Sequence, residues 1–270
     1  MVSIVIVNYN TRDLLRSCLN TIPLGVKDLS HEVIVVDNGS TDGSAEMIKT
    51  HFPQVKMLKN EENLGFSRAS NLGAATSRGD ALLFLNSDTL VREKAISLLY
   101  DTLMTAEDIG IVGPKIVNPK GVPTRSYMRF LTLPMLFAGS EKLSRFINVE
   151  KFRLHFDQYD FSRLREVPWV SGACLMIKSK IFTEIGGFDE GYFFYCEDMD
   201  LCLQAQRRGY RVIFNPQAEI VHLFGGSSGE KRAFLNREYQ KSVFHYFRKH
   251  YSPFHAWTAK LIMHMKGYGR

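Results

Sequence analysis

The sequence predicts an α/β chain: an open, mostly parallel sheet flanked by helices on both faces, with a helical extension at its C-terminal end. Three observations predict it. Short apolar runs at Ser3–Val7, which is rich in Val and Ile, Glu32–Val36 and Ala81–Leu85 read as strands buried on both faces, and Val55–Leu58 reads as a further short strand. Segments with helical apolar periodicity alternate with them over short connections. Polar clusters fall just past the strand ends, where sheets of this kind bind ligands.

The elements follow in order. Asn10 or Thr11 caps a first helix whose Leu14, Leu15, Cys18, Leu19 and Ile22 share one face. The second strand ends at Asp37-Asn38-Gly39-Ser40-Thr41-Asp42-Gly43, and a helix carrying Ala45, Met47, Ile48 and Phe52 comes next. Residues 66–77 form a small-faced helix with Ala69, Leu72, Ala74 and Ala75. The fourth strand ends at Asn86-Ser87-Asp88, before a helix with Ala95, Ile96, Leu98, Leu99 and Leu103. Residues 118–167 break the alternation; Gly121, Pro123 and Pro134 mark an irregular or helical insertion. Order resumes with a strand over Trp169–Ile177, a short helix and the turn Gly186-Gly187-Phe188-Asp189. A helix over Glu197–Arg208 turns Leu201, Cys202 and Ala205 inward and stops at Gly209. Strands at Arg211–Phe214 and Ala218–Val221 follow, the second ending at His222 before a glycine-rich loop. From Lys231 onward the chain reads as helical, basic and aromatic, and no internal repeat is present.

Size and composition bound the function. The chain has 270 residues, 45% hydrophobic and 23% charged, which is ordinary globular usage and large enough for a full core without staples. Cys18, Cys174, Cys196 and Cys202 make no CxxC pair and read as reduced thiols of a cytoplasmic compartment. The N-terminus lacks a basic segment and runs straight into a strand, unlike a signal peptide. No apolar run approaches the ~18 residues of a membrane span, so a soluble or peripheral protein is expected. The net charge of +6 is uneven. Residues 230–270 carry nine Lys/Arg against two Glu, a net +7, which leaves −1 for everything before them.

Each chemical motif has a plainer reading beside it. The first strand–helix turn, Asn8-Tyr9-Asn10-Thr11, has no glycine, which argues against a dinucleotide fingerprint. A P-loop and an HExxH zinc motif are also missing. Asp37 is either a turn residue or a ligand-binding carboxylate. Asn38-Gly39-Ser40 is formally a glycosylation sequon, and Asn38-Gly39 could form a hairpin, but the helical pattern after it argues against the hairpin. Asp88, at the end of a buried strand, suits a divalent cation, although loop aspartates are common. Glu197-Asp198-Met199-Asp200 places three carboxylates at a helix start, where acids also simply complement the macrodipole. The bulky Phe193-Phe194-Tyr195 before them and the apolar helix after them point to a walled cleft. His222 gains meaning as a metal ligand only together with Asp88.

In combination these segments resemble the family 2 inverting glycosyltransferases. The resemblance rests on Ile4–Asn10, Val33–Gly43, Asn63-x-Gly65-Phe66-x-x-Ala69-x-Asn71-x-Gly73 and Leu85-Asn86-Ser87-Asp88. It continues through Gly172-Ala173, Gly186–Glu190, Glu197–Leu201 and His222-x-x-Gly225, in family order across about residues 2–229. The chain is most similar to the bacterial rhamnosyltransferase-like branch. The resemblance implies a GT-A fold with a nucleotide-binding half (1–117), an acceptor and catalytic half (118–229) and a basic aromatic tail (230–270). It implies a nucleoside-diphosphate sugar donor and a polysaccharide or lipid-linked acceptor. By it, Asp37 binds base or ribose alongside Asn8, Tyr9 and Asn10, and Asn38, Asn63, Gly65, Asn71, Asn86, Ser87, Gly172, Ala173 and Glu197 line the substrate. Asp88 and His222 would hold Mg²⁺ or Mn²⁺ on the diphosphate, and Asp198 would be the general base. Asn86 stands where the family's motif begins with Asp, which leaves fewer charges for the metal. A helix-start carboxylate such as Asp198 is expected to keep a low pKa.

The alternative is a non-catalytic nucleotide-sugar-binding or scaffold protein of the same fold. Nucleic-acid binding by the tail is not expected, because no RNA or DNA motif accompanies its cations. Docking on an anionic membrane surface at the inner face of the cell membrane is expected instead, with Val243, Tyr246, Phe247 and His250 on one helical face. Packing of the same aromatics on the catalytic domain or a second copy in a homo-oligomer is the competing expectation.

Overall fold

The computed structural model describes residues 1–138, 159–223 and 229–265. Its first part matches the alternation expected. Strands β1 (Val2–Asn8), β2 (His31–Asn38), β3 (Lys56–Asn60) and β4 (Ala81–Leu85) are linked by helices α1 (Arg12–Val26), α2 (Ser44–His51) and α3 (Phe66–Ala75). They pair in parallel, β3-β2-β1-β4. β1 is buried nearly throughout, with Val2, Ile4 and Ile6 in one core layer and Val5 in the other. That is why it reads as an unbroken apolar run rather than an alternating one.

Downstream, β5 (Thr89–Val91), α4 (Ala95–Met104) and β6 (Ile109–Val117) come before a small unit of β7 (Tyr127–Met128) and α5 (Leu133–Ala138). Next come β8 (Arg165–Glu166), β9 (Trp169–Val170), β10 (Cys174–Lys178), α6 (Ser179–Ile185), α7 (Glu197–Arg207) and β11 (Arg211–His222). The helices α8 (Gly229–His250) and α9 (Pro253–Met265) close the chain. The main sheet runs β3-β2-β1-β4-β10-β6-β11-β5, with β8 on β11. β1 to β4, β6 and β11 point one way, and β5, β8 and β10 point the other. This is the mostly parallel GT-A sheet that the sequence implies.

Several local expectations are corrected. Ile109–Val117 is a buried strand of the main sheet, hidden in the sequence by Gly110, Gly113 and Pro114. The expected strand Trp169–Ile177 is two strands: β9 pairs with β7 in a separate small sheet, and β10 joins the main one. Ser171-Gly172-Ala173 turns the chain between them. Arg211–Phe214 and Ala218–Val221 form one strand with a register shift between Asn215 and Glu219, a bulge at Pro216. Thr11 occupies the cap position of α1 without capping it by its side chain. The Arg12 amide donates instead to Asp42 across the neighbouring loop, at 2.8 Å. The part of the insertion at 139–158 and the glycine-rich loop at 224–228, with Gly225, lie outside the described residues.

Two cores sandwich the sheet. One holds α1, α2 and α4 side chains, among them Leu15, Ile22, Ile48 and Leu99. The other holds α6 and α7 together with α8 and α9: Phe182, Leu201, Val243, Tyr246, Phe247 and Ile262 meet Phe84 and Phe188 there. Val243, Tyr246, Phe247 and His250 do share one face, and that face is buried within the protein. The basic aromatic tail is thus bonded into the domain through α8.

Candidate active site

The carboxyl ends of β1 and β2 build the first wall. Asn8 and Asp37 are fully buried neighbours in register. The Asn8 amide donates to Asp37 Oδ1 at 3.2 Å and to the Ser40 hydroxyl at 3.0 Å. Its carbonyl accepts from Thr11 Oγ1 at 2.7 Å, and Thr11 in turn sits 2.8 Å from the Ser87 hydroxyl. Asn10, in a left-handed turn, accepts the Thr41 amide at 2.8 Å. Tyr9 stands exposed beside it. Asp37 Oδ2 is buried without a hydrogen-bond partner. Such an acceptor calls for an explanation, and a ligand hydroxyl or N–H would satisfy it.

Three expected substrate residues are hydrogen-bonded to protein. The Asn38 carbonyl accepts from Asn60 and from the Leu64 amide, while its NH₂ donates to Asn63 and to the Gly65 carbonyl, all within 3.2 Å. Asn63 also accepts the Gly65 amide at 3.0 Å. Asn71 grips the Phe188 backbone with both ends of its amide, 2.9 Å each, and reaches Glu190. These bonds hold the loops that follow β2 and β3 and the turn before α7. Gly65 has φ +81° and abuts Phe193, whose carbonyl would lie 2.6 Å from any Cβ. It lets the β3–α3 loop touch the segment leading to α7.

The end of β4 supplies the second wall. Asp88 Oδ1 lies 3.0 Å from His222 Nε2, and the Leu223 amide donates to the Asp88 carbonyl at 2.9 Å. β5 pairs antiparallel with the end of β11, and this ladder brings two residues 134 positions apart into one site. The Asp88 carboxylate oxygen suits Mg²⁺ or Mn²⁺, and the His222 ring nitrogen beside it is a second donor of a type that metals take. Among the described residues no third Asp, Glu, His or Cys joins them in a cluster. A cation held there would fill its other positions with ligand oxygens or water. Asn86 donates its amide to the Ala173 carbonyl at 3.0 Å.

The third wall is the head of α7. Gly172 donates its amide to Asp198 Oδ2 at 2.7 Å, and the Met199 amide donates to Oδ1 at 2.7 Å. A Cβ on Gly172 would come within 3.1 Å of the Asp198 Cβ. The Asp198 side chain keeps partial access to solvent amid dense surroundings. Burial raises its pKa above the ordinary carboxylate value, and the Gly172 and Met199 amides offset only part of that. This corrects the expectation of a low pKa from helix position: desolvation outweighs the macrodipole. Glu197 is pushed well above its usual value by burial and by the Asp198 charge, and its Oε2 has no partner. Tyr195 and Cys196 enter α7 with positive φ, 73° and 68°. Two consecutive non-glycine residues in that region store strain where the carboxylates are presented.

Residues 3–186 match the family described as Glycosyl transferase family 2. The chain belongs to this glycosyltransferase family. The N-acetylglucosaminyl-diphospho-decaprenol L-rhamnosyltransferase of Mycobacterium tuberculosis is 29% identical over 249 residues, covering 87% of this chain and 80% of that protein. Rhamnosyltransferase WbbL of Escherichia coli is 25% identical, covering 92% and 93%. A mannosyltransferase from Pyrobaculum calidifontis, solved with GDP-Man and Mn²⁺, superposes with TM-score 0.62 at 20% identity, over 99% of this chain and 69% of that one. A GalNAc-T7 structure with UDP, GalNAc and Mn²⁺ gives TM-score 0.63 at 18% identity, over 99% and 55%.

In this glycosyltransferase the segment before α7 is clamped by α8. Lys249 Nζ lies between Asp189 and Asp200, 2.6 and 2.9 Å from their carboxylates. Asp200 is buried and also takes bonds from Tyr192 and from His250 Nε2. The other ring nitrogen of His250 faces the Arg207 guanidinium at 2.9 Å. Arginine only donates, so that nitrogen accepts, and the His250 proton sits on Nε2, toward Asp200. His245 bonds Asp189 at 3.0 Å. Burial works to raise the Asp189 pKa, but the Lys249 and His245 bonds outweigh it and hold the carboxyl well below its usual range. Sequence reasoning missed this clamp, because its partners lie 49–60 positions apart. It also missed Thr11 and Ser40, whose only signal was a hydroxyl in a strand–helix loop.

Proposed function

We propose that this glycosyltransferase transfers a hexosyl group, rhamnosyl being the foremost candidate, from a nucleoside-diphosphate sugar to a hydroxyl of a lipid-linked or polysaccharide acceptor, with inversion. One observation carries the reading. Asp198, Gly172-Ala173 and Asn86-Ser87-Asp88 form a continuous bonded bridge: Asp198 to the Gly172 amide at 2.7 Å, and the Ala173 carbonyl to the Asn86 amide at 3.0 Å. A proton acceptor is thereby fixed relative to a candidate diphosphate site by two adjacent backbone residues. The names of the curated relatives support the sugar and acceptor class.

Asp37 takes the nucleoside through its unpartnered Oδ2, with Asn8 orienting the carboxylate and the Ser40 hydroxyl holding the Asn8 amide. Asp88 and His222 would hold the divalent cation. What the cation supplies when bound is neutralisation of charge on the leaving diphosphate. Asp198 receives the acceptor hydroxyl's proton as that oxygen attacks the anomeric carbon from the face opposite the leaving group. Its raised pKa makes it a stronger base than an exposed aspartate. The two backbone amides fix its oxygens, so the carboxylate needs no reorientation. A single displacement requires no covalent enzyme intermediate. The four cysteines fit that, being buried in the core, with the Cys18 thiol pushed up to about 12 by burial.

Asp198→Asn tests the role. Nucleotide affinity should stay at the parent value by calorimetry, while transfer falls about 10²–10⁴-fold. Normal turnover in Asp198→Asn, with loss in Glu197→Gln, would move the role to the other carboxylate. Titration of nucleoside diphosphate with and without EDTA tests the cation site, and equal affinity in both would remove it.

A further inference from the structure

α9 carries two apolar faces. Ser252 caps it, accepting the His255 amide at 3.3 Å, and Pro253 opens its first turn. Ala256, Ala259, Ile262 and Met263 are buried against the domain. Phe254, Trp257, Leu261 and Met265 point the other way and are 75%, 61%, 61% and 48% exposed. At 100° per residue they fall within an arc of about 80°. Lys260 borders this stripe, its ammonium 4.8 Å from the Trp257 ring centre and 5.6 Å from that of Phe244. A large apolar side chain left singly in water is unremarkable; an aligned row of four along one helix marks an interaction surface.

We propose that the outward face of α9 seats this protein on an anionic lipid bilayer, with Phe254, Trp257, Leu261 and Met265 entering the interface and Lys260 meeting the headgroups. Charge selects the occupant. From residue 239 to the end there are six Lys/Arg and no Asp or Glu, the sign an anionic leaflet attracts. Lys241 and Lys249 have carboxylate partners, while Arg248 and Lys260 stand exposed. A second copy fits less well. An isologous interface across this stripe would bring Lys260 toward its own symmetry mate with no acid on the helix to receive it, and one four-residue row falls short of a standard interface. The opposite face of α9 packs into the domain core, so the stripe is presented on an already formed helix. The inference stands apart from the proposed reaction, since it needs neither donor nor base.

The test uses the full chain with vesicles of equimolar phosphatidylglycerol and phosphatidylcholine, and with phosphatidylcholine alone. The parent should co-sediment with the anionic vesicles at low salt, release at high salt and ignore the neutral ones. Trp257 emission should shift to the blue on binding, the other tryptophan, Trp169, being already buried. Lys260→Gln should weaken partitioning about fivefold. Trp257→Ser combined with Leu261→Ser should weaken it at least tenfold, with melting temperature and turnover on a soluble acceptor unchanged. No sedimentation of the parent with anionic vesicles would overturn the proposal, as would undiminished binding by the double variant. So would light scattering that finds a dimer which the double variant splits, because the face would then belong to a second copy.

Discussion

Lys249→Met isolates the clamp between α8 and the segment presenting Asp198. The substitution keeps most of the stem's apolar contact and removes the cation bridging Asp189 and Asp200. Asp200 is 3% exposed and keeps Tyr192 and His250, so it is left partly compensated rather than bare. Breaking a buried pair costs about 3–5 kcal/mol. The Lys249 side chain retains 27% of its exposure, which brings the expectation to about 2–3 kcal/mol after screening. For a chain of this size that is a drop of roughly 4–12 °C in melting temperature. Lys241→Met is the control: its ammonium bonds Glu238 at 2.7 Å, but the side chain is 72% exposed, and a loss under about 1 kcal/mol is expected. Thermal unfolding followed by circular dichroism reads both. The pH dependence carries a sign. The folded pKa of Asp189 lies below its usual value, so its contribution is complete above about pH 4 and is lost as pH falls through the depressed value. The parent should therefore lose more stability in acid than Lys249→Met does. Equal melting temperatures for parent and Lys249→Met, or equal losses for the two variants, would refute the clamp.

Asp37→Ala removes the unpartnered acceptor, and calorimetry should show nucleotide affinity about 10- to 100-fold weaker; unchanged affinity would place the nucleoside elsewhere. The acid limb of kcat/KM should lie above the ordinary aspartate value near 3.9, activity falling with pH as Asp198 gains its proton; a limb below that value would contradict the burial argument. Glu197 has a folded pKa above its unfolded value near 4.3, so the parent loses stability as pH rises from there through the folded value. Glu197→Gln should therefore melt higher than the parent at neutral pH, and a lower melting point would show that the carboxylate is compensated. Gly65→Ala places a Cβ against the Phe193 carbonyl at a positive φ and should cost at least about 1 kcal/mol, measured by urea unfolding; no loss would mean that the two loops part freely.

The alternating first half of the fold and its polar strand ends are legible in the amino-acid sequence. A buried parallel strand must be apolar on both faces, so polar residues come where the apolar run stops. Val2–Asn8 and Ala81–Leu85 show this, and so do Asp37 and Asp88, each found at or just past the end of its strand. The helix Glu197–Arg207 was equally legible, from its acidic start and its inward Leu201 and Cys202. Tertiary structure decided the rest, because it turns on contacts between residues far apart in the chain. Ile109–Val117 becomes a central strand only once β10 and β11 flank it, overriding its glycines and proline. Asp88 meets His222 only because β5 pairs with the end of β11. Asn38, Asn63 and Asn71 are residue types fit for a ligand, and only the tertiary structure shows the side chains and backbone of other segments that they bond. The pKa of Asp198 follows from desolvation, which sequence position does not report. The same holds for the tail: its composition announced cations and aromatics, but only packing against Asp189, Asp200 and the core separated the face that anchors α8 from the face α9 leaves open.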